Sequence, residues 1–338
     1  MKKENPFKKL FAKREMGVLV ILIAVVVLVQ LFQPKFLNPS NLRSIAISVA
    51  TDGLYAIGLC LALILGGIEL SVGGVAAMTC VITGYLCLQG VNVWGAALAA
   101  VAAGILVGLF NGFMISKVGL PPFIVTLSMM NLSRGIAYIL TEGSPLSLSG
   151  YLPDSFRVLA TGTIAGVPTI FLIYLAIAII AGLLTRHAKA CRNIFYVGSN
   201  EKAAQLSGIN VDRVKISVYV VVALLSTLAG ILSLARFNMA TPELSVGAET
   251  TAISAAVIGG TSMAGGVGSI LGTFFGIVLL KVVNSALVML NVSVYWQDFV
   301  QGLILVAAVT IDYMTHRKTG NSFLQKMFAF RKKETTRK

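Results

Sequence analysis

The chain has 338 residues, of which 57% are hydrophobic and only 12% are charged, whereas soluble domains are typically about 45–50% apolar and about 25% charged. A soluble core of this length cannot hide so much apolar surface, so part of that surface must face lipid. The formal net charge is +14, but the basic residues flank apolar runs and are not interleaved with aromatic residues, which argues against a nucleic-acid-binding surface.

Ten apolar runs are predicted to cross the membrane as helices. Backbone groups in lipid must bond to one another, and continuous apolar runs without two-residue alternation favour helices over a barrel. In chain order the predicted crossings are 17–33, 44–65, 70–89, 93–116, 122–141, 164–184, 216–236, 250–263, 267–289 and 297–315. The eighth is too short to span alone, which predicts a broken or re-entrant helix. Nine or eleven crossings remain compatible with the pattern.

The distribution of Lys and Arg predicts the orientation of the chain. With both termini in the cytoplasm, 21 of the 27 basic residues lie on the inner side, in the two tails, the loop 186–215 and Lys117. The outer side then carries only Lys35, Arg43, Arg157 and Arg236. Because positive charge concentrates in cytoplasmic loops, we expect a multi-pass protein of the cell (inner) membrane with ten rather than nine crossings.

One transmembrane domain, 17–315, is predicted between a basic N-terminal tail, 1–16, and a basic C-terminal tail, 316–338. A signal peptide also has a basic start and an apolar run, but here a small-residue cleavage site is missing, so we interpret the run as a retained first helix. The four cysteines form no C-x-x-C pair, and we expect neither a disulfide framework nor a metal site.

Two glycine ladders share one spacing. Gly104-x-x-x-Gly108-x-x-x-Gly112 and Gly268-x-x-x-Gly272-x-x-x-Gly276 are each followed by a Lys-Val pair, at Lys117 and Lys281. They lie on predicted crossings of opposite direction, which is typical of an inverted repeat in transporters. Glycine at every fourth residue also lets two helices pack closely, and the sequence leaves both explanations open.

Catalytic patterns are not found. The two histidines, His187 and His316, stand beside basic residues at membrane edges, and the dipeptide Gly-Lys of a phosphate-binding loop does not occur. We therefore predict no catalytic residue, no metal and no cofactor, and any ATP must be bound by a partner chain. The ionisable residues in or beside apolar runs are expected to form structural pairs or to lie at helix ends; they are Asp52, Glu69, Arg134, Glu249, Lys281 and Asp298.

Two glycine-rich segments interrupt the apolar runs. Residues 66–74 read Gly-Gly-Ile-Glu-Leu-Ser-Val-Gly-Gly, and residues 259–268 contain five more glycines. The first predicts either a sharp turn, with Ser71 or Glu69 capping the next helix, or irregular backbone that lines a path through the membrane.

The loop 186–215 contains the local pattern of a short helix. Ser199 or Asn200 is a suitable N-cap, Glu201 suits the first turn, and Gly208 is well placed to end the helix. A two-turn helix is too short to be stable alone, so it is expected to dock on something.

These segments together resemble the permease family of carbohydrate-type ABC importers. The matching stretches are residues 66–73, 120–127 (Leu-Pro-Pro-Phe-Ile-Val-Thr-Leu) and 197–211, while 259–272 and 296–312 resemble the family's C-terminal part. One departure is Glu69, where the family usually has Asp. The resemblance implies an all-α membrane protein of about ten helices, of the type II ABC importer kind.

The resemblance also implies partners and site residues. Two permease chains, identical or homologous, form a path through membrane lipid, two cytoplasmic ABC ATPases dock on the loop helices, and an extracytoplasmic solute-binding protein delivers a sugar or sugar-like solute near 142–162 and 238–248. The residues expected to couple to the ATPase are Asn200, Glu201, Ala203, Ala204, Leu206 and Gly208. The candidate path residues are Gly67, Glu69, Ser71, Pro121, Pro122, Phe123 and Thr126.

Two alternatives compete with this interpretation. An ion-coupled secondary transporter needs neither an ATPase nor a binding protein. A related ABC permease carries nucleosides or branched-chain amino acids. The loop helix argues against the first, and the 66–73 motif favours sugars over the second.

Overall fold

A computed structural model of the chain describes residues 14–293, 295–297, 299–310 and 312–314. The predictions for the two tails, for His316 and for Asp298 therefore lie wholly or largely outside the described residues.

The described residues are mostly helical. The helices are α1 (Arg14–Phe32), α2 (Pro39–Leu65), α3 (Val72–Leu88), α4 (Val93–Phe113), α5 (Pro122–Thr141), α6 (Asp154–Thr161), α7 (Thr169–His187), α8 (Lys189–Ser199), α9 (Glu201–Leu206), α10 (Val211–Phe237), α11 (Ala248–Ile258) and α12 (Ile270–Met289). A π-helical turn, Met114–Val118, extends α4. Further helical residues occupy 295–297, 299–310 and 312–314.

Four two-residue strands form two small antiparallel sheets. The strand β1 (Leu146–Ser147) pairs with β4 (Met239–Ala240), and β2 (Thr163–Ile164) pairs with β3 (Val167–Pro168). They join connecting segments and leave the transmembrane core helical.

Among the described residues, seven helices are long and apolar enough to span a membrane: α1, α2, α4 with its π-turn, α5, α7, α10 and α12. Each of the first nine predicted crossings contains a helix, but α3 and α11 are shorter, and the tenth crossing falls on 297–315, which is only partly described. The all-α membrane class is confirmed, with seven full-length spans where ten crossings were predicted.

The helices α2 and α10 form the centre of the bundle. In the most apolar 18-residue stretch of each of these helices, 78% of the residues are buried, compared with 11% in α1. The helix α10 packs on α2, α3 and α4. At one end, which we call the Gly66 end, α2 and α7 end and α3, α5, α10 and α12 begin. At the opposite, Asn238 end, α3, α5 and α10 end, and β1 pairs with β4.

Local sequence explains where these helices start and stop. Asn38 accepts a hydrogen bond from the Ser40 amide before Pro39 opens α2, and Gly66, at φ 85°, ends it in the left-handed conformation that glycine tolerates. Ser269 caps α12 by accepting from the Gly272 amide.

The eighth predicted crossing is broken, as its length predicted. After α10 the chain turns at Asn238 and runs back along α3, passing Gly84 at Ala240 and Gly73 at Ser245. The eleven residues that separate these two glycines correspond to about 16 Å of helix. Only then does α11 begin, so its N-terminus lies deep in the bundle.

The backbone of this descending segment is covered by protein. The Arg134 guanidinium donates to the carbonyl oxygens of Pro242 (2.6 Å) and Leu244 (3.3 Å), and the hydroxyls of Tyr55 and Ser245 share a hydrogen bond of 2.8 Å. Non-helical backbone at membrane depth requires such partners.

Both glycine ladders lie where helices meet. The first packs against α10, with Gly112 against Ile216. In the second, Gly276 packs against Ala255 of α11, and Gly268, which precedes α12, packs against Ile64 of α2. Close helix packing therefore accounts for both ladders, and the inverted repeat stays a prediction.

Candidate functional site

The turn between α2 and α3 is built around a buried carboxylate. Glu69 is 1% exposed, and its Oε1 accepts hydrogen bonds from the Ser71 amide (2.6 Å) and the Ser71 hydroxyl (2.5 Å). Asn111 on α4 donates to Oε2 at 3.5 Å. Burial raises the pKa of the Glu69 carboxyl to about 7, although the hydrogen bonds from Ser71 and Asn111 act in the opposite direction. Glu69 thus holds the turn and ties it to α4.

The start of α5 docks on this turn. The Thr126 hydroxyl donates to the Ile68 carbonyl oxygen at 3.1 Å, and Gly67 lies against Pro122 and the Tyr219 hydroxyl of α10. A side chain at Gly67 would overlap with that hydroxyl, which explains the glycine. The segments 66–71 and 121–126, distant in sequence, therefore meet at the Gly66 end.

The candidate path residues fall into two groups. Glu69, Ser71 and Thr126 are buried and hydrogen-bonded within the chain. Gly67, Pro121 and Pro122 line a cavity of about 440 Å³, and Phe123 is 50% exposed. The same cavity is lined by Glu201, so it joins the candidate path residues to the candidate coupling helix.

The predicted loop helix is confirmed as α9. The Asn200 side chain accepts from the Ala203 amide at 3.0 Å, and Gly208, at φ 81°, follows the helix in the left-handed conformation. The Ile209 amide donates to Ala204 at 3.1 Å, which closes a glycine-based helix end.

The side chains of α9 point in different directions. Ala204 is 4% exposed, whereas Leu206 is 91% exposed. Glu201 accepts from Lys215 of α10 at 2.7 Å, an ion pair that ties α9 to the bundle. Leu206 and Ala204 therefore lie on opposite sides of α9, and the Leu206 side of the helix is the one that a partner chain could contact.

Sequence reasoning missed the helix α8, which precedes α9. Its buried side chains, Ile194 and Val197, are three residues apart, and that spacing was the available signal. Gly198, near its end, packs against the Ile64 carbonyl oxygen at the end of α2, and Gly265 and Gly266 pack on the same region. The Gly266 amide donates to Ile64 at 2.8 Å. We call these contacts the glycine junction.

A second feature that the sequence reasoning missed is an open polar face at membrane depth. On α5, Ser128, Asn131 and Tyr138 are exposed and share one side of the helix, and the exposed Glu243 and Thr250 belong to the broken crossing beside it. Arg134 joins the two elements. The i, i+3 spacing of Ser128 and Asn131 in an apolar run was the signal.

The described ionisable residues at membrane depth have structural partners or lie at a helix end, as expected. Asp52 on α2 and Lys281 on α12 form an ion pair, Arg134 binds backbone carbonyl oxygens, and Glu249 lies in the first turn of α11. The Asp52–Lys281 pair lies at a recess of about 550 Å³ beside the start of α11.

Comparisons with known proteins identify the family of this chain. A family model described as the branched-chain amino acid transport system / permease component matches residues 41–309. The ribose import permease protein RbsC of Escherichia coli (strain K12) is 37% identical over 296 residues, covering 87% of this chain and 92% of that protein. The L-arabinose ABC transporter permease protein AraH of Azospirillum brasilense is 33% identical over 296 residues, covering 88% and 86%.

A solved structure of a metal-chelate type ABC transporter in an inward-facing conformation aligns with 92% of this chain and 99% of that one, at a TM-score of 0.45 and 15% identity, too weak a likeness to support an argument. The family match over most of the chain and the identities above 30% decide the assignment. The chain is a permease and not an enzyme, and it belongs to the permease family of carbohydrate-type ABC importers.

Proposed function

We propose that the chain forms one half of a membrane path for a neutral monosaccharide, with a pentose as the first candidate. The observation that carries this proposal is the open polar face. Exposed polar side chains at membrane depth are costly against lipid, so a water-filled path or a second permease chain must cover them. Two relatives named for ribose and L-arabinose, both pentoses, support the choice of sugar.

The Gly66 end is proposed to face the cytoplasm. Seven described basic residues lie at that end (Lys117, Arg186, Lys189, Arg192, Lys202, Arg213 and Lys215), and four lie at the Asn238 end. The positive-inside rule then places α8 and α9 inside the cell. The binding protein would meet the Asn238 end near 142–162 and at 238–240, since the rest of the predicted outer loop, up to 248, descends into the bundle.

An ABC ATPase is proposed to bind α9. Leu206 and the exposed Ala203 would contact the ATPase surface, and Asn200 and Gly208 would fix the ends of the helix. The buried Ala204 would set its spacing to the bundle, and Glu201 would anchor it through Lys215. Movement of α9 and α8 would reach α2 and the 259–268 segment through the glycine junction. ATP binding would thereby shift the population between outward- and inward-open states.

Gly67, Pro121, Pro122 and Phe123 are proposed to line the cytoplasmic mouth of the path. Glu69, Ser71 and Thr126 would support that mouth from behind.

Reconstituted transport tests the proposal. The permease, its ATPase and its binding protein are placed in liposomes that contain ATP, and uptake of radiolabelled D-ribose and L-arabinose is measured. We expect uptake that requires hydrolysable ATP and binding protein and that resists a protonophore. Uptake that a protonophore abolishes would indicate an ion-coupled carrier, and uptake of leucine or adenosine instead would overturn the sugar assignment.

The coupling surface has its own test. Leu206→Glu places charge on the docking surface, and we expect weaker co-purification of the ATPase and lower uptake. Lys189→Glu, which reverses an exposed charge on the neighbouring helix α8, is the matched control. Normal ATPase binding by Leu206→Glu would contradict the assignment.

A further inference from the structure

A cavity of about 440 Å³ lies at the Gly66 end, between the end of α2, the π-turn, the start of α5, and the helices α9 and α10. Its lining includes Gly67, Ser116, Pro121, Lys215 and Tyr219. Small-molecule sites in proteins commonly have volumes of about 300–1,000 Å³, with mostly apolar walls and a few polar groups. The cavity has the size of such a site, and polar groups make up a larger part of its walls.

Two buried hydroxyls of this lining have no partner among the described residues. Tyr219 is 1% exposed, and neither its hydroxyl nor the buried Ser116 hydroxyl makes a hydrogen bond within the described chain. A buried polar group without a partner is destabilising, and native structures contain few of them. Of the nine such polar atoms among the described residues, these two belong to the lining of one cavity, where an occupant with hydrogen-bonding groups would satisfy them.

The charges of the lining indicate a neutral occupant. Its ionic side chains are Glu201 and Lys215, which pair with each other at 2.7 Å, so no surplus charge is left to bind a phosphate or a carboxylate. Leu65, Leu120 and the two prolines supply apolar walls. Hydroxyl partners between apolar walls suit a small polyhydroxylated molecule.

The geometry points to a release site for the transported monosaccharide at the cytoplasmic mouth, contacted by Tyr219 and Ser116. This inference rests on the proposed function and adds a site that binds the sugar transiently before its release into the cytoplasm. One wall of the cavity is the ion pair between Glu201 of α9 and Lys215 of α10. A sugar bound against this pair would hold the two helices together and slow the return to the outward-open state. The consequence is inhibition of import by internal sugar.

Binding is tested first, on the permease–ATPase complex in lipid nanodiscs, by saturation-transfer NMR with D-ribose. Tyr219→Phe and Ser116→Ala each remove one hydroxyl, and we expect each to weaken D-ribose binding by about three- to tenfold. The matched controls are Tyr174→Phe and Ser233→Ala, which remove buried unpartnered hydroxyls away from the cavity and should leave binding unchanged. Equal effects of all four changes, or no saturable binding to the wild-type complex, would overturn the inference.

Transport is tested second, in liposomes that contain ATP with or without D-ribose. The readout is the ratio of initial import rates with and without internal sugar, taken within each variant. We expect a ratio well below one for the wild type and both controls, and a ratio closer to one for Tyr219→Phe and for Ser116→Ala. If one variant fails to fold, the other still decides the result.

Two further outcomes separate the inference from the proposed function. ATP-driven import that internal D-ribose leaves unchanged in the wild type would refute the release site and leave the proposed function standing, whereas absence of ATP-driven import of any sugar would refute both. Inhibition by internal D-ribose 5-phosphate but not by D-ribose would identify an anion site and overturn the inference.

Discussion

Among the described residues, the 66–71 turn and the broken crossing 239–258 both interrupt membrane helices, and they differ in whether their polar groups are bonded within the chain. In the 66–71 turn, the Glu69 carboxylate is buried and bonded to Ser71 and Asn111. In the broken crossing 239–258, Glu243 and Thr250 are exposed beside the exposed Asn131 of α5. Polar residues near the membrane therefore stabilise the fold where the chain supplies their hydrogen-bond partners. Where the chain leaves them exposed, they are free to contact a transported solute.

The largest change in stability is expected for a substitution in the 66–71 turn. Glu69→Leu removes the acceptor of three donors on Ser71 and Asn111, and we expect a loss of about 3 kcal/mol or more in stability. Thermal unfolding of the detergent-solubilised protein measures it. Glu243→Leu, in the open region, is the control and should unfold at nearly the wild-type temperature; equal losses would remove the distinction between the two regions.

The next largest effect is expected on the coupling of ATP hydrolysis to uptake, through the contacts of the glycine junction. A Cβ in Gly198→Ala would overlap with the Ile64 carbonyl oxygen and push α8 away from the glycine junction. We expect uptake to fall by about tenfold while ATP hydrolysis continues, since the ATPase would no longer move α2. Gly182→Ala on α7, where no neighbouring atom lies within 4 Å, is the control. Full coupling in Gly198→Ala would refute this role.

A smaller effect is expected on the open face. Asn131→Leu removes one hydrogen-bonding group from the proposed path, and we expect uptake to fall by about five- to tenfold with little change in thermal stability. Ile139→Leu, an exposed apolar change on the same helix, should transport normally. A destabilised Asn131→Leu protein would show that the residue is structural instead.

The smallest effect depends on pH. Burial raises the pKa of Glu69 from 4.5 to about 7, so protonation of this carboxyl stabilises the folded protein relative to the unfolded chain. That contribution is complete below about pH 4.5 and is lost as the pH rises through about 7. Relative to Glu69→Gln, the wild type should therefore lose a few degrees of unfolding temperature between about pH 5.5 and about pH 8. Parallel pH profiles for the two proteins would contradict this burial.

Much of the fold was predictable because its signals are local. Apolar run length located nine helices, and the short eighth run predicted the break that begins after Asn238. The α9 helix was predicted from Asn200 and Gly208, since a cap and a left-handed glycine act within a few residues of chain. The spacing of Ile194 and Val197 is typical of a helix, so α8 could also have been predicted, but the basic residues around it led to its interpretation as a loop.

The candidate site was only partly predictable. Glu69, Ser71 and Thr126 are buried within this chain, whereas Gly67 and Pro122 line the cavity, and the place of all five along a path stays a prediction. Which of these side chains meets a cavity depends on how α5 and α10 pack on the turn.

Hydropathy, capping and charge were enough to predict a helical membrane protein, the positions of nine of its helices and the loop that carries α9, because these signals act over one helix length or less, whereas the permease role came from the family resemblance. Tertiary structure alone decided that Asp52 pairs with Lys281, that Tyr219 reaches Gly67 and that one face of α5 stays open. Those contacts join residues far apart in the chain, and they arise only when the ridges of whole helices pack together.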